Sequence, residues 1–144
     1  MNISTDAPLQ HLVTLLGSSL AMYVSDAGIW TYPGAEEIKL ALADLVDDHR
    51  SLIDRAGAIL EERGLEVPRR PYPIQFTATH DLDLRALLPR IAAGLESQVG
   101  ALERLASTGG DAEGVDLVRE AITSTRSHLN DLQQVLARPR VAAG

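Results

Sequence analysis

The stretch LEVPRRPYPIQFTATH, residues 65–80, decides how this chain folds, because it is too long to be a simple turn. It carries three prolines and no helical spacing of apolar residues, which predicts a connection with extended backbone. Its 16 residues can span up to ~53 Å when fully extended. A connection of that reach can run the whole length of a helix.

On both sides of this connection, apolar residues recur three and four positions apart, which predicts amphipathic helices. We expect four of them, over residues 6–32, 35–64, 81–106 and 111–138. The second helix is expected to end at Gly64, a glycine in the position that follows a helix terminus. Thr79 is the expected cap of the third helix, and Pro89 inside it predicts a kink or a short first segment.

The first helix is predicted to be continuous, with an inward stripe that runs over its whole length. The members of that stripe are Leu9, Leu12, Leu16, Leu20, Tyr23, Ala27 and Trp30. Residues 139–144 after the fourth helix are expected to form a loose tail. Aromatic residues near the turn between the first two helices and in the connection are expected to pack the connection onto the helices: Trp30, Tyr32, Tyr72 and Phe76.

The lengths of the connections choose between topologies. Short turns follow the first and third helices, so each of these helices is expected to be antiparallel to the next. The second helix should be ~45 Å long, a distance that residues 65–80 can cover. We therefore expect an all-α, ferritin-like four-helix bundle, up-down-down-up, with a long crossover between helices 2 and 3. Residues 1–144 would form this single domain.

Composition narrows the functional classes. The net charge of −7 argues against nonspecific binding to nucleic acid or to an anionic membrane surface, since both need a basic surface. The chain has no cysteine, which excludes disulfides, iron–sulfur clusters and thiolate zinc sites. No run of residues approaches the ~18 apolar positions of a membrane span, and the first residues lack an export-type segment. A cytoplasmic protein is expected.

Two histidines interrupt the apolar stripes of the second and fourth helices. His49 stands in LVDDHRSLI, residues 45–53, where the helical spacing calls for a leucine, and His128 lies in the fourth helix. In the crossover topology the second helix ends where the fourth begins, and the levels of the two histidines then agree within ~3 Å. The sequence therefore predicts a pair of buried histidines at one height.

The segments DDHRSLIDRAGAILEERGLEVP, residues 47–68, and YPIQFTATHDLDLRALLPR, residues 72–90, resemble those of bacterial ferritin-like proteins of unassigned function. The resemblance covers most of the chain and implies a four-helix bundle. In relatives with a complete site, it also implies a di-iron or di-manganese centre, in which a glutamate precedes each histidine by three residues. Here those positions hold Val46 and Thr125, and the third helix offers Ala92 or Ala93 at that height.

Two interpretations of the histidines stay open. In the first, the metal site is degenerate, and His49 and His128 are core histidines in a polar network with Tyr23, Ser19 and Thr125. In the second, a metal is retained by His49, His128 and a carboxylate, for which Glu96 is the candidate ligand. Asp44 and Asp48 are alternative carboxylates, although one residue of separation turns Asp48 ~100° away from His49.

The functional hypotheses follow these two interpretations. The favoured one is a non-enzymatic ferritin-like bundle that has lost its di-iron site and acts as a binding or structural module, without catalytic residues or a cofactor. It could assemble as a homodimer through an apolar helix face. The alternative is an oxidoreductase-like protein that binds iron, manganese or zinc with a reduced ligand set around His49 and His128. The sequence leaves open whether the protein is an enzyme.

Overall fold

A computed structural model describes residues 7–69 and 71–138, and within these ranges the regular structure is helical, without β-strands. The described α-helices are α1 (Ala7–Gly17), α2 (Leu20–Gly28), α3 (Glu36–Glu62), α4 (Leu84–Ser107) and α5 (Ala112–Ala137). Two 3-10 segments, Ile29–Thr31 and Ile74–Thr79, complete them. The predicted all-α class is confirmed. The expected tail, residues 139–144, lies outside the described residues.

The prediction of one helix over residues 6–32 is wrong. The chain breaks at residues 18–19, and the axes of Pro8–Gly17 and Leu20–Thr31 differ by 56°. The apolar spacing of three and four continues across the break, which is why periodicity alone did not reveal it. Two shorter helices and a 3-10 turn therefore replace the single long helix.

Local chemistry at Ser19 explains the break. Its backbone is extended, with φ −72° and ψ 158°, and its hydroxyl accepts a hydrogen bond from the Met22 N–H at 3.1 Å. Serine favours this capping position over a helix interior, so α2 begins anew here. Because of the bend, the second half of the predicted stripe no longer faces the core along its whole length. Trp30, which was predicted to point inward, is 59% exposed. Lys39 lies over its ring instead.

The end of α3 is as predicted. Gly64 has a φ of 73°, in the left-handed region that glycine adopts readily. The N–H of Leu65 donates to the Leu60 carbonyl at 2.9 Å, and the N–H of Gly64 donates to the Glu61 carbonyl. This pattern is typical of a helix closed by a glycine.

The third predicted helix begins later than expected. α4 starts at Leu84 rather than at residue 81, and Asp83, not Thr79, caps it by accepting from the Arg85 N–H at 2.8 Å. The Thr79 hydroxyl donates instead to the carbonyl of Phe76 at 2.7 Å inside the 3-10 segment. A threonine and an aspartate both suit a cap, and the aspartate nearer the apolar stripe takes the role.

α4 continues through Pro89 to Ser107 without a break, so the predicted short first segment does not form. The proline lies in the second turn, where it removes a single hydrogen-bond donor while the flanking leucines keep the helix packed. α5 begins as expected after Asp111, whose carboxylate accepts from the Gly114 N–H at 3.1 Å.

Side-chain pairs show that α3 and α5 run antiparallel. Glu37 near the start of α3 pairs with Arg138 at the end of α5. Arg63 at the end of α3 pairs with Asp111, at 2.8 Å, before the start of α5. α4 and α5 are antiparallel as well: Glu103 pairs with Arg126 at 2.5 Å, and Glu96 accepts from Gln133 at 3.1 Å. α1 packs on α3, α4 and α5.

The segment after α3 returns to the opposite end of that helix. The N–H of Leu84 donates to the Pro33 carbonyl at 2.7 Å, so α4 begins beside the turn that precedes α3. Gly34 permits this approach, because a Cβ there would lie 2.9 Å from the Leu84 Cβ. The helices enclose one apolar core, built mainly from leucine.

Among the described residues, no single helix is both long and apolar enough to cross a membrane. The bent pair Pro8–Gly17 and Leu20–Thr31 passes the same test of length and composition only when its two parts are counted together.

Candidate functional site

His49 lies fully buried in the middle of α3. Helical spacing places it on the inward face between Leu45 and Leu52, and its Nε2 lies 3.1 Å from the Thr125 Oγ1 of α5. Thr125 is fully buried as well. A hydrogen bond between two buried side chains on facing helices replaces the apolar contact that a leucine would make there.

The burial of His49 keeps its imidazole neutral. The pKa of His49 is lowered from 6.5 to about 4, mainly by loss of hydration and then by the nearby His128, while Asp48 acts in the opposite direction. The Nδ1 of His49 is buried and has no hydrogen-bond partner within residues 7–69 and 71–138. One ring nitrogen is thus engaged by Thr125 and the other is not.

His128 has a different partner, on the rim of the helix pair. Its Nε2 lies 2.5 Å from Asp48 Oδ2, with the histidine side chain 13% exposed and the aspartate 59% exposed. The turn of ~100° between Asp48 and His49 carries the carboxylate away from the core and toward α5. The two histidines are therefore close enough for His128 to lower the pKa of His49, but each is bonded to its own partner, and His128 is less buried than the predicted pair of buried histidines requires.

The remaining predicted site residues lie elsewhere. Glu96 is exposed and accepts from Gln133 on the outer face of α4 and α5. Ser19 caps α2, and the Tyr23 hydroxyl lies 2.6 Å from the Nε2 of His80. Of the predicted polar network, the structure brings only Thr125 to His49.

These contacts do not fit the di-metal centre that the family resemblance implies. Val46, three residues before His49, is buried and apolar, and Ala92 is buried on α4. Within the described ranges, no group of three or more histidine, aspartate or glutamate side chains is placed to hold a metal ion. Thr125 occupies the remaining glutamate position and uses its hydroxyl on His49.

An aromatic cluster attaches the segment between α3 and α4 to α2. The ring of Tyr23 lies 5.2 Å from that of Tyr72 and 5.6 Å from those of Phe76 and His80, and the His80 ring stacks on Tyr32 at 5.7 Å. The sequence predicted such packing with Trp30. Tyr23 and His80 were missed, because the predicted continuous helix directed Tyr23 into the core.

Asp26 reinforces the same attachment. Its carboxylate accepts from Arg50 of α3 at 2.7 Å and from the hydroxyl of Tyr72. One acidic side chain therefore links α2, α3 and the connection, which holds the connection against the helices along its middle part.

A cavity of about 420 Å³ lies between the α1–α2 break, the 3-10 segment Ile74–Thr79 and α4. Its size falls within the range of small-molecule sites, and aliphatic and aromatic side chains form most of its wall. Residues from each of the three elements contribute: Leu15, Ser19, Leu20, Phe76, Thr79, Arg90, Ile91, Gly94, Leu95 and Gln98. Sequence reasoning missed this cavity because three separate elements form it.

Gln98 and Thr79 are the buried polar residues of the cavity wall, and Gln98 is 6% exposed. The Nε2 of Gln98 donates to the Leu15 carbonyl at 2.7 Å, near the end of α1. The Oε1 of Gln98 is buried and has no hydrogen-bond partner in the described part of the chain. The sequence did contain a signal, a glutamine on the inward stripe of α4 between Leu95 and Leu102.

No family model matches the sequence, and neither does any curated protein. Among solved structures, the chain is similar to a conserved hypothetical protein, rv2844, from Mycobacterium tuberculosis. The TM-score is 0.73 at 17% sequence identity, and the match covers 94% of this chain and 100% of that one. At this identity the similarity concerns the fold alone.

Proposed function

We propose that this protein is a ferritin-like four-helix bundle, up-down-down-up, that serves as a binding or structural module without a di-metal centre. The α1–α2 unit counts as the first helix of that bundle. The topology is supported by the antiparallel pairing of α3 with α5, because a simple up-down-up-down bundle would make these helices parallel. The return of the chain from Arg63 to the Pro33 turn supports the crossover.

The observation that carries the functional proposal is the hydrogen bond between His49 Nε2 and Thr125 Oγ1. A histidine that bound a metal in this bundle would need carboxylates around it to offset the charge of the ion. His49 instead has a threonine on one nitrogen and Val46 three residues before it. The surroundings of His49 are therefore those of an apolar core that contains one polar contact, the hydrogen bond to Thr125.

Metal content tests this proposal. We expect protein purified after expression with added iron or manganese to hold only trace metal, and its melting temperature to stay unchanged when either ion is added. A stoichiometric, tightly bound ion that is lost in the double variant His49→Ala/His128→Ala would overturn the proposal, since binding to the folded state must stabilise it.

Two observations favour the alternative function, a metal-binding oxidoreductase-like protein. The Nδ1 of His49 has no partner among the described residues, and Asp48 sits beside His128, a pairing common around metal-bound histidines. Iron, manganese and zinc are each to be tested in the same titration. Loss of binding in His128→Ala with retention in Glu96→Gln would assign a reduced ligand set that excludes Glu96.

The proposed setting of the protein follows from its charge. With a net charge of −7, neither nucleic acid nor an anionic membrane is proposed as a partner. A cytoplasmic location and a homodimer remain parts of the proposal. Light scattering at two concentrations tests the homodimer, and a monomer mass at both would exclude it.

A further inference from the structure

The cavity beneath the connection has a mostly apolar wall that also carries six polar side chains: Ser19, Gln75, Thr79, Arg90, Ser97 and Gln98. Among these six, Arg90 is the charged side chain, and Gln98 is the one with a buried acceptor that no described residue satisfies. Arg90 and Gln98 both belong to α4 and both line the cavity. They are eight residues apart, which corresponds to ~12 Å of rise along the helix. A ligand that met both groups would have to be elongated, with a polar group at each end and an apolar body between them.

The Gln98 end requires a hydrogen-bond donor. The Oε1 of this side chain is buried, and no described residue donates to it. A buried acceptor without a donor is unfavourable, so a ligand that supplies a hydroxyl or N–H is favoured over one that supplies only an acceptor. The Nε2 on the same amide is engaged by the Leu15 carbonyl at 2.7 Å, which holds the amide in this orientation.

The Arg90 end favours an anion. Arg90 is exposed and has no ion-pair partner among residues 7–69 and 71–138, unlike Arg55, which is bonded to Glu120. A guanidinium can hold a carboxylate through two parallel hydrogen bonds. A cation at this end of the ligand would be repelled by Arg90.

The middle of the site has room for an unbranched chain. Gly94 lies between Arg90 and Gln98 on α4 and lines the cavity, and a Cβ added there would meet no atom within 4 Å. Leu20 and Leu95 contribute aliphatic surface to the same wall. Methylene groups placed there leave water for an apolar environment, which favours binding.

We propose that this cavity binds an unbranched aliphatic carboxylate with a hydroxyl at its far end, the carboxylate on Arg90 and the hydroxyl on Gln98 Oε1. This assignment rests on the proposed function in that it gives the binding module its ligand class. It uses none of the residues around His49.

The test uses ω-hydroxydecanoate as the probe in calorimetric titrations of the full chain, with decanoate and ω-hydroxydecylamine as matched ligands. We expect one site per chain, binding of decanoate weaker by about tenfold because it lacks the donor, and still weaker binding of the amine. Equal affinity for ω-hydroxydecanoate and decanoate, or for the acid and the amine, would overturn the proposal.

Variants locate the site. Arg90→Gln should lower the affinity for ω-hydroxydecanoate by about tenfold. The melting temperature should not change, since Arg90 is exposed. Gly94→Leu should abolish binding by filling the cavity while it retains the helix, because leucine is a better helix former than glycine. Gly100→Leu is the matched control on the same helix outside the cavity, and we expect it to bind normally.

Gln98→Met gives a readout that does not depend on the stability of the variant. In this background the advantage of the hydroxylated acid over decanoate should disappear, whatever the absolute affinity. Persistence of the advantage, or normal binding by Gly94→Leu, would refute the site. Metal analysis of the same samples separates the two proposals: a metal ion at His49 with intact ligand binding refutes only the proposed function. Metal-free protein without ligand binding refutes only this inference.

Discussion

At the scale of single residues, the pair His49 and Thr125 shows what a helical core requires of a buried imidazole. Each side chain is fully buried, and their contact at 3.1 Å gives each of them a hydrogen bond. The sequence predicted the levels of His49 and His128 from helix lengths and named Thr125 as a candidate partner. It could not predict the contact between Asp48 and His128, which depends on how α3 and α5 are rotated about their axes.

The neutral state of His49 predicts a loss of stability in mild acid. Its pKa is 6.5 in the unfolded chain and about 4 in the folded one, so below pH 6.5 the unfolded state binds a proton that the folded state excludes. The free energy of unfolding should therefore decrease by up to ~1.4 kcal/mol per pH unit between pH 6.5 and 4. Urea titrations across this range measure the slope.

The control for this slope is the double variant His49→Leu/Thr125→Val, in which both polar partners are removed. We expect the free energy of unfolding of this variant to depend less steeply on pH over the same interval. An unchanged slope would show that His49 is not the group responsible.

The same two residues give a prediction at pH 7. His49→Leu leaves the Thr125 hydroxyl buried without its partner and should destabilise the protein by about 1–3 kcal/mol. Adding Thr125→Val should restore much of that loss, because two apolar side chains then face each other. If the second substitution made the protein less stable still, the hydroxyl would have to serve another contact.

At the scale of elements, the break between α1 and α2 separates what periodicity can predict from what it cannot. The apolar stripe continues from Leu16 to Leu20 with unchanged spacing, so a sequence pattern alone indicates one helix. The capping side chain of Ser19 was visible in the sequence as Gly-Ser-Ser, residues 17–19, a run of poor helix formers. The boundaries of α3 and α5, by contrast, were predicted because strong termination signals coincide with the ends of their stripes.

Ser19→Ala tests the origin of the break. Without the hydroxyl that accepts from the Met22 N–H, we expect a loss of about 1 kcal/mol in the free energy of unfolding. Ser18→Ala is the matched control, since the Ser18 hydroxyl donates to the Thr14 carbonyl of the preceding turn and does not cap a helix. This substitution should change the free energy of unfolding by no more than ~0.5 kcal/mol. Equal effects of the two substitutions would contradict the capping role.

Tyr23 predicts how the connection detaches. Its ring contacts Tyr72, Phe76 and His80, so Tyr23→Ala should release the connection and speed tryptic cleavage after Arg69. Tyr23→Phe keeps the ring contacts and loses only the hydrogen bond between the Tyr23 hydroxyl and His80 Nε2, and we expect an intermediate rate. Cleavage of Tyr23→Ala at the rate of the unmodified protein would show that the cluster does not hold the connection.

At the scale of the whole molecule, the length of one connection was the most informative feature of the sequence. The reach of residues 65–80 is the basis for the proposed crossover, and the contacts at both ends of α3 are the observations offered in its support. The cavity had no comparable signal, because its shape follows from the 56° bend and from where the 3-10 segment comes to rest. Such a void between three elements depends on packing, which residue patterns do not encode directly.

Cross-linking tests the relative direction of α3 and α5. The chain has no cysteine, so introduced pairs are unambiguous. Arg63→Cys with Glu113→Cys should react with a short thiol-specific cross-linker, since the Arg63 Nη2 and the Glu113 Oε1 are 3.0 Å apart. Glu37→Cys with Glu113→Cys should not, because most of the length of α3 separates the sites. The reverse result would indicate parallel helices and exclude the crossover topology.

The bond between the Leu84 N–H and the Pro33 carbonyl also bears on the order in which the molecule folds. This hydrogen bond joins residues far apart in sequence, so it can form only when a long loop closes. The entropy lost in closing that loop comes before the contacts that offset it. α4 and α5 are joined by a short turn and can pair early. The connection and the cavity beneath it would then form last. The proposed ligand site would thus be completed at the end of folding.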